Sequence, residues 1–327
     1  METRLLGRTG VKLSVLGFGC GAVGGMMVRG EAAEQERAVA RALALGINFF
    51  DTAPMYGNGA SERNLGRVLK VLKPEIFLST KFTIRPEDRG DIAAAVINSL
   101  EASLNRLGRT HVDLLQLHNR IDVAGDDRPL PAETVIAEVA PALAALKRQG
   151  KIRFAGITAL GDTALLHRVV DAGVFDTAQI CFNLLNPSAA GPLPAGLPGQ
   201  DFKGLATRAQ AAGMGTIGIR VLAGGALSGS VERHPTGVPV VPPIASGPDY
   251  AADARNAHRF DALIQAGHAG SLIEAALRFG ISTPAMTTVL VGTSTVDQLE
   301  VAAAAILKGP LSKPTLDQVA ALSREVR

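Results

Sequence analysis

Ile76-Phe77-Leu78-Ser79-Thr80-Lys81, an apolar run closing on a lysine, precedes an amphipathic segment at 91–107 that stops at Gly108. A second apolar run, Val112-Asp113-Leu114-Leu115-Gln116-Leu117-His118, follows at once. The runs have the length of buried strands, and the segment between them repeats apolar residues at helical spacing. A strand, a helix and a strand in that order make a right-handed crossover between parallel strands. The unit recurs in both directions. Further strands are expected at 15–19, 47–50, 153–158, 177–182, 216–222 and 288–292. Helices are expected at 34–45, 61–72, 134–149, 162–172, 204–212, 271–279 and 296–307. Eight such units in one chain point to a closed α/β TIM barrel, (β/α)8, although an open doubly wound sheet would give a similar pattern.

Runs at 4–6 and 12–14 around Arg8-Thr9-Gly10 predict a small β-hairpin ahead of the first barrel strand. Two long loops are expected, at 186–200 and 229–247, and loops of that length in a compact domain are usually functional. Nothing resembles an interdomain linker, so residues 1–327 read as one domain. Hydrophobic residues make up 47% and charged residues 19%, enough for a sizeable core and unlike a disordered chain. The formal charge of +3 is spread over mixed signs, with no basic run for nucleic acid and no stripe for a membrane surface. Two cysteines, Cys20 and Cys181, suit neither a disulfide framework nor a zinc site and read as buried, reduced thiols. With no apolar segment after the amino-terminal Met-Glu-Thr-Arg and no run long enough to span a bilayer, a cytoplasmic location is expected.

In a barrel of this kind the active site lies at the carboxyl ends of the strands. The polar residues there are Asp51 and, in the following turn, Tyr56; Lys81; and His118. Each alone has an ordinary structural explanation: a turn cap, a solvated rim lysine, a satisfied histidine. Together they form general acid–base apparatus. A tyrosine near pKa ~10 is a poor acid at neutral pH, and a neighbouring Lys81 ammonium is expected to lower that value. Asp51 would hold Lys81 in place, and His118 would hydrogen-bond a carbonyl oxygen. Such a set lacks a hydride source, which a nicotinamide cofactor would supply. A metal-dependent hydrolase fails on inventory and no metal is expected, because the six histidines are scattered and only His118 stands at a strand end.

These residues sit in motifs that resemble the aldo-keto reductases. The run Gly46-Ile47-Asn48-Phe49-Phe50-Asp51-Thr52-Ala53-Pro54-Met55-Tyr56-Gly57, with Ser61-Glu62-Arg63-Asn64-Leu65-Gly66 after it, carries the resemblance furthest. Leu78–Lys81, Asp113–His118, Gly150-Lys151-Ile152-Arg153, and Gln179 with Phe182-Asn183 follow in the family's order, and the likeness extends from about Leu5 to Ala304. The resemblance implies a catalytic tetrad of Asp51, Tyr56, Lys81 and His118 with Tyr56 as proton donor. It also implies that Gln179 contacts the nicotinamide carboxamide.

The cofactor residues implied are Gly19, Thr158, Gln179, Arg220, Leu222, Gly292, Thr293, Ser294 and Gln298, with several departures from the family pattern. Thr158-Ala159 stands where the family has Ser-Asn. Ile219-Arg220-Val221-Leu222 replaces a nicotinamide-stacking tyrosine followed by Ser-Pro-Leu, so Arg220 is free to reach the cofactor, an acidic substrate or a structural ion pair. The glycine turn before the last helix offers N–H groups to a phosphate. Thr295 and Gln298 stand where NADP-specific members carry Lys or Arg, and Ala302 where an adenine-contacting Asn is common. A 2′-phosphate would lack a charged partner there, which tilts an open choice between NADH and NADPH toward NADH. The substrate pocket is expected to be framed by Met26, Met55, Phe82, Asn119 and Arg120. With 4% aromatic residues and no tryptophan to give, it should take a small or polar carbonyl compound such as a sugar. A cofactor-binding regulatory protein, like the potassium-channel β subunits of this family, and a non-redox lyase or isomerase remain as alternatives. The oligomeric state is left open.

Overall fold

The computed structural model describes residues 1–123, 129–193, 196–197 and 199–324. Ten strands are present among them: β1 (Thr3–Leu5), β2 (Lys12–Ser14), β3 (Leu16–Gly19), β4 (Phe49–Asp51), β5 (Phe77–Phe82), β6 (Val112–Leu117), β7 (Ile152–Thr158), β8 (Thr177–Cys181), β9 (Gly215–Ile219) and β10 (Thr288–Val291). Strands β3 to β10 form a closed parallel barrel in chain order. Closure is made by β10, which pairs with β9 through Thr288 and Ile217 and with β3 through Val289 and Leu16. The open-sheet alternative is thereby excluded. All eight expected barrel strands are found, with ends that coincide or shift by up to three residues.

Along each strand successive side chains face opposite sides. Phe49, Phe77, Leu114 and Ile217 face one another at the amino-terminal end of the barrel interior, packed with Leu6 and Leu13 of the β1–β2 hairpin. The hairpin pairs Thr3 with Ser14 and Leu5 with Lys12, and it plugs that end. Arg8 ties it down by donating to the carbonyls of Gly173 and Phe175, and Arg4 by donating to those of Ile281 and Met286. Phe50, Leu78, Leu115 and Leu117 face outward, into the larger core between barrel and helices. Two residues above the apolar plug the interior turns polar, at Asp51, Ser79, Lys81 and Gln116.

The expected helix at 134–149 widens into a π-helical turn at Val135–Val139 before resuming at Ala140–Arg148. Pro141 has no N–H to return to the carbonyl of Ala137, which explains the break in the ladder. Helices at Tyr250–Ala257 and Lys313–Leu322 go beyond the sequence expectation. Each carries a cap signal, since Asp249 accepts from Ala252 N–H and Ser312 from Thr315 N–H. Of the expected loop at 186–200, positions 194, 195 and 198 lie outside the described residues. The expected burial of Cys20 and Cys181 as unpaired thiols holds.

Leu13 is fully buried inside the plug, so Leu13→Ala should cost about 2–5 kcal/mol of folding stability. Urea denaturation would measure it, with an unchanged denaturant slope expected.

Candidate active site

Asp51 ends β4, Lys81 lies near the end of β5, and His118 directly follows β6. Tyr56 is brought over them by a tight turn in which Tyr56 N–H donates to Ala53 C=O and Gly59 N–H to Pro54 C=O. Gly57 and Gly59 have φ of +61° and +78°, a left-handed backbone that favours glycine. The buried Ser61 hydroxyl then pins the turn to Cys20 C=O at 2.9 Å and meets Thr52 Oγ1 at 2.8 Å.

Lys81 is 1% exposed, and its ammonium directs its three N–H donors to three partners. It pairs with Asp51 Oδ2, donates to Thr52 C=O at 2.9 Å, and donates to the Tyr56 phenol oxygen at 3.3 Å. The Tyr56 and His118 rings meet edge-on, with centroids 6.0 Å apart. Behind this group, Glu62 is fully buried, accepting from the Thr80 hydroxyl at 2.6 Å and pairing with Arg106 Nε at 2.5 Å. Glu62 thus fixes the strand residue beside Lys81. Its position within the Ser61-Glu62-Arg63 motif was the available signal, but the motif alone assigns it no partner.

The electrostatics correct one expectation. Burial pushes the Tyr56 phenol above its ordinary value, and Lys81, pulling the other way, does not overcome it. Tyr56 is therefore held as the protonated acid. Burial also disfavours the Lys81 ammonium, yet Asp51 and Tyr56 together keep its pKa above the ordinary lysine value. His118 is pushed down to about 3 by burial and by the Lys81 charge, so its imidazole is neutral and has one N–H to donate.

Asp51, Tyr56 and His118 open onto a cavity of 590 Å³, within the usual range for small-molecule sites. Gly19, Thr158, Gln179, Arg220, Leu222, Gly292, Thr293, Ser294 and Gln298 all line this same cavity. The hydroxyls of Thr158 and Thr293 and the Nδ1 of His118 are buried without a hydrogen-bond partner among the described residues. Buried polar atoms of this kind are costly unless a ligand or water meets them. The loop carrying Gly24 lies so close to the glycine turn that a Cβ on Gly24 would sit 2.5 Å from the Gly292 carbonyl carbon and the Thr293 nitrogen. Ser294 N–H is held by Gln298 Oε1 at 2.8 Å, and Thr295 caps the helix Val296–Leu307. One unpaired hydroxyl at the end of β7, and another within the glycine turn that opens a helix, form a donor set that fits a phosphate-bearing dinucleotide.

Arg220 adopts φ +58° and donates to Pro242 C=O at 3.2 Å, with no ion pair to a described carboxylate. The 229–247 segment lines the cavity with Glu232, Arg233, His234, Gly237 and Ile244. Arg233 clasps it by donating to Val238, Gly224 and Val23 carbonyls, and Arg29 by donating to those of Thr236 and Ala22. The expected substrate frame needs correction. Met26 and Phe82 are buried in the core between barrel and helices. Asn119 is engaged with both backbone groups of Ile84. Met55 and Arg120 are exposed, and none of the five lines the cavity among the described residues. Leu160, Ile244, Ile273 and Tyr250 stand there instead.

Residues 15–324 match the aldo/keto reductase family model, and the chain belongs to that family of oxidoreductases acting on carbonyl compounds and sugars. It is an enzyme of this family, whose members use NAD(P)H. It is 33% identical to an L-galactose dehydrogenase of Arabidopsis thaliana, over 100% of this chain and 96% of that one. It is 28% identical to an L-glyceraldehyde 3-phosphate reductase of Escherichia coli O157:H7, over 92% of this chain and 86% of that one. A holo aldo-keto reductase of Bacillus halodurans superposes with a TM-score of 0.73 at 23% identity, covering 100% of this chain and 98% of that one, a likeness of fold. No helix among the described residues is long and apolar enough to cross a membrane.

The His118 shift has a testable sign. The unfolded chain takes up this proton near 6.5 and the folded protein only near 3, so acidification below 6.5 favours unfolding. Imidazole NMR should show His118 unprotonated from about pH 8 to about pH 5.

Proposed function

We propose that this chain moves a hydride between a nicotinamide dinucleotide and a small polar carbonyl or alcohol, a sugar in the first instance, with Tyr56 exchanging the proton. The observation carrying this proposal is the Lys81 ammonium shared between Asp51 and the Tyr56 phenol at the floor of the cavity. A bound nicotinamide supplies or accepts the hydride. Tyr56 gives its phenolic proton to the carbonyl oxygen, and Lys81 stabilises the phenolate left behind. Neutral His118 donates its N–H to the same oxygen and orients it. In the oxidative direction the phenolate takes the alcohol proton back.

Gln179, with Thr158, would meet the carboxamide, and Gly292 with the unpaired Thr293 hydroxyl would receive a phosphate, beside a Ser294 whose N–H and hydroxyl are held by Gln298 and Gly24. At the far end the distribution of charge favours NADH. Thr295 and Gln298 offer no cation, the Gln298 side chain is engaged by Ser294, and Asp297 in the first turn of that helix lines the cavity. An acidic side chain repels a 2′-phosphate and suits a free ribose hydroxyl. Sugar chemistry is supported by the names of the two full-length relatives.

Nicotinamide absorbance with a panel of aldehydes, ketones and sugars tests the proposal. Tyr56→Phe should lower kcat by roughly 10²–10⁴-fold while NADH still binds. Turnover unchanged by Tyr56→Phe, or no consumption of either dinucleotide, would sink it. Gln298→Arg should raise kcat/KM for NADPH relative to NADH by about tenfold, ~1.4 kcal/mol.

A further inference from the structure

Asp51 has a hydrogen-bond partner on each carboxylate oxygen. Oδ2 takes the Lys81 ammonium. Oδ1 accepts from Gln179 Nε2 at 2.8 Å and from Gln116 Nε2 at 3.3 Å. Gln179 belongs to β8, which stands diametrically opposite β4 in the ring of eight strands. Its side chain is thus a strut across the barrel interior. Gln116, from β6, is fully buried and also donates to Ser79 Oγ of β5 at 2.9 Å. Gln179 lines the cavity as well, and its amide oxygen accepts no hydrogen bond from a described residue. One side chain therefore has its nitrogen on the acid–base centre and its oxygen left for a ligand.

We infer that Gln179 is a positioning residue coupling the dinucleotide's carboxamide to the acidity of Tyr56, through Asp51 and Lys81, with Gln116 as the fixed counterpart on the same oxygen. The inference rests on the nicotinamide reading proposed above. A carboxamide N–H donating to Gln179 Oε1 polarises the amide and strengthens its N–H bond to Asp51. Asp51 acts on Tyr56 by raising its pKa, and Lys81 by lowering it. Any change in how tightly Asp51 is held redistributes the Lys81 charge between carboxylate and phenol. The other groups acting on Tyr56 are Cys20, after β3, and Arg220, after β9, with His118 edge-on to its ring.

The chain offers a direct probe, because it has two tyrosines, Tyr56 and Tyr250, and no tryptophan. Fluorotyrosine labelling gives two fluorine NMR lines, which Tyr250→Phe assigns. Gln179→Glu places a second negative charge beside Asp51 and should raise the titration midpoint of the Tyr56 line by about one unit. Gln116→Glu, from the β6 side, should shift it in the same direction and serves if the first variant does not fold. Gln179→Leu should weaken NADH binding, read from NADH emission, by roughly two- to tenfold, the worth of one hydrogen bond. A Tyr56 midpoint unmoved in folded Gln179→Glu and Gln116→Glu proteins would overturn the coupling. So would NADH affinity unchanged by Gln179→Leu. If the unmodified protein binds neither dinucleotide, the nicotinamide reading has failed, whatever the fluorine midpoints show.

Discussion

The buried ammonium of Lys81 is the interaction on which the rest of this site depends. A lysine this deep is tolerable only with its charge paired and each proton placed, and Asp51, Thr52 and Tyr56 meet both conditions. Removing any of them would leave a charge in a low-dielectric interior without its full set of partners, so the requirement is structural before it is catalytic. The same requirement explains the shape of the Tyr56 turn. Two glycines and the Ser61 hydroxyl hold the phenol where Lys81 can reach it. Stability and the proposed activity are thus drawn from one set of contacts.

The barrel permits this arrangement by segregating its interior along the axis. At the plugged end the inward residues are apolar and pack against the hairpin. At the open end they are polar: Asp51, Ser79, Gln116 and Gln179 bond one another across the strands, while the Thr158 hydroxyl and the Gln116 amide oxygen have no partner among the described residues. A strand rises about 3.3 Å per residue, so a change from Phe49 to Asp51 is one step along the inward face. The Glu62–Arg106 pair repeats the logic outside the barrel, where it fastens Thr80 to the helix layer.

Much of this was legible in the sequence, for a physical reason. Strands covered on both faces read as continuous apolar runs, and a polar residue ending such a run stands out. Asp51, Lys81 and His118 announce themselves in that way. What failed was direction. Phe82 adjoins Lys81, and the two-residue period that turns Lys81 inward turns Phe82 out to the helices. Met26 stood near the mouth in the chain but packs into the core. The sign of the Tyr56 shift was also out of reach, since it depends on how completely the phenol is buried, and Lys81 alone suggested the opposite. The helix at Lys313–Leu322 had a readable cap in Ser312 and was missed because eight units had already closed the barrel.

The clasp over the cavity has an unusual chemical make-up. Arg233 and Arg29 hold the 229–247 segment through backbone carbonyls, with the Arg233 guanidinium also 5.0 Å over the Tyr250 ring and no carboxylate among the described residues in either grip. A guanidinium stays charged throughout the physiological range, and a peptide carbonyl has no proton to gain or lose. Dipoles are also screened by salt far less than opposed charges are. These two grips are therefore indifferent to acidity, whereas the ends of the segment are fastened by groups that titrate: His258 Nε2 meets Gly229 C=O at 3.0 Å, and Gly247 N–H donates to the Asp253 carboxylate at 2.7 Å. Opening the arginine grips takes displacement of the peptide backbone, while a change of protonation acts only at the two ends of the segment.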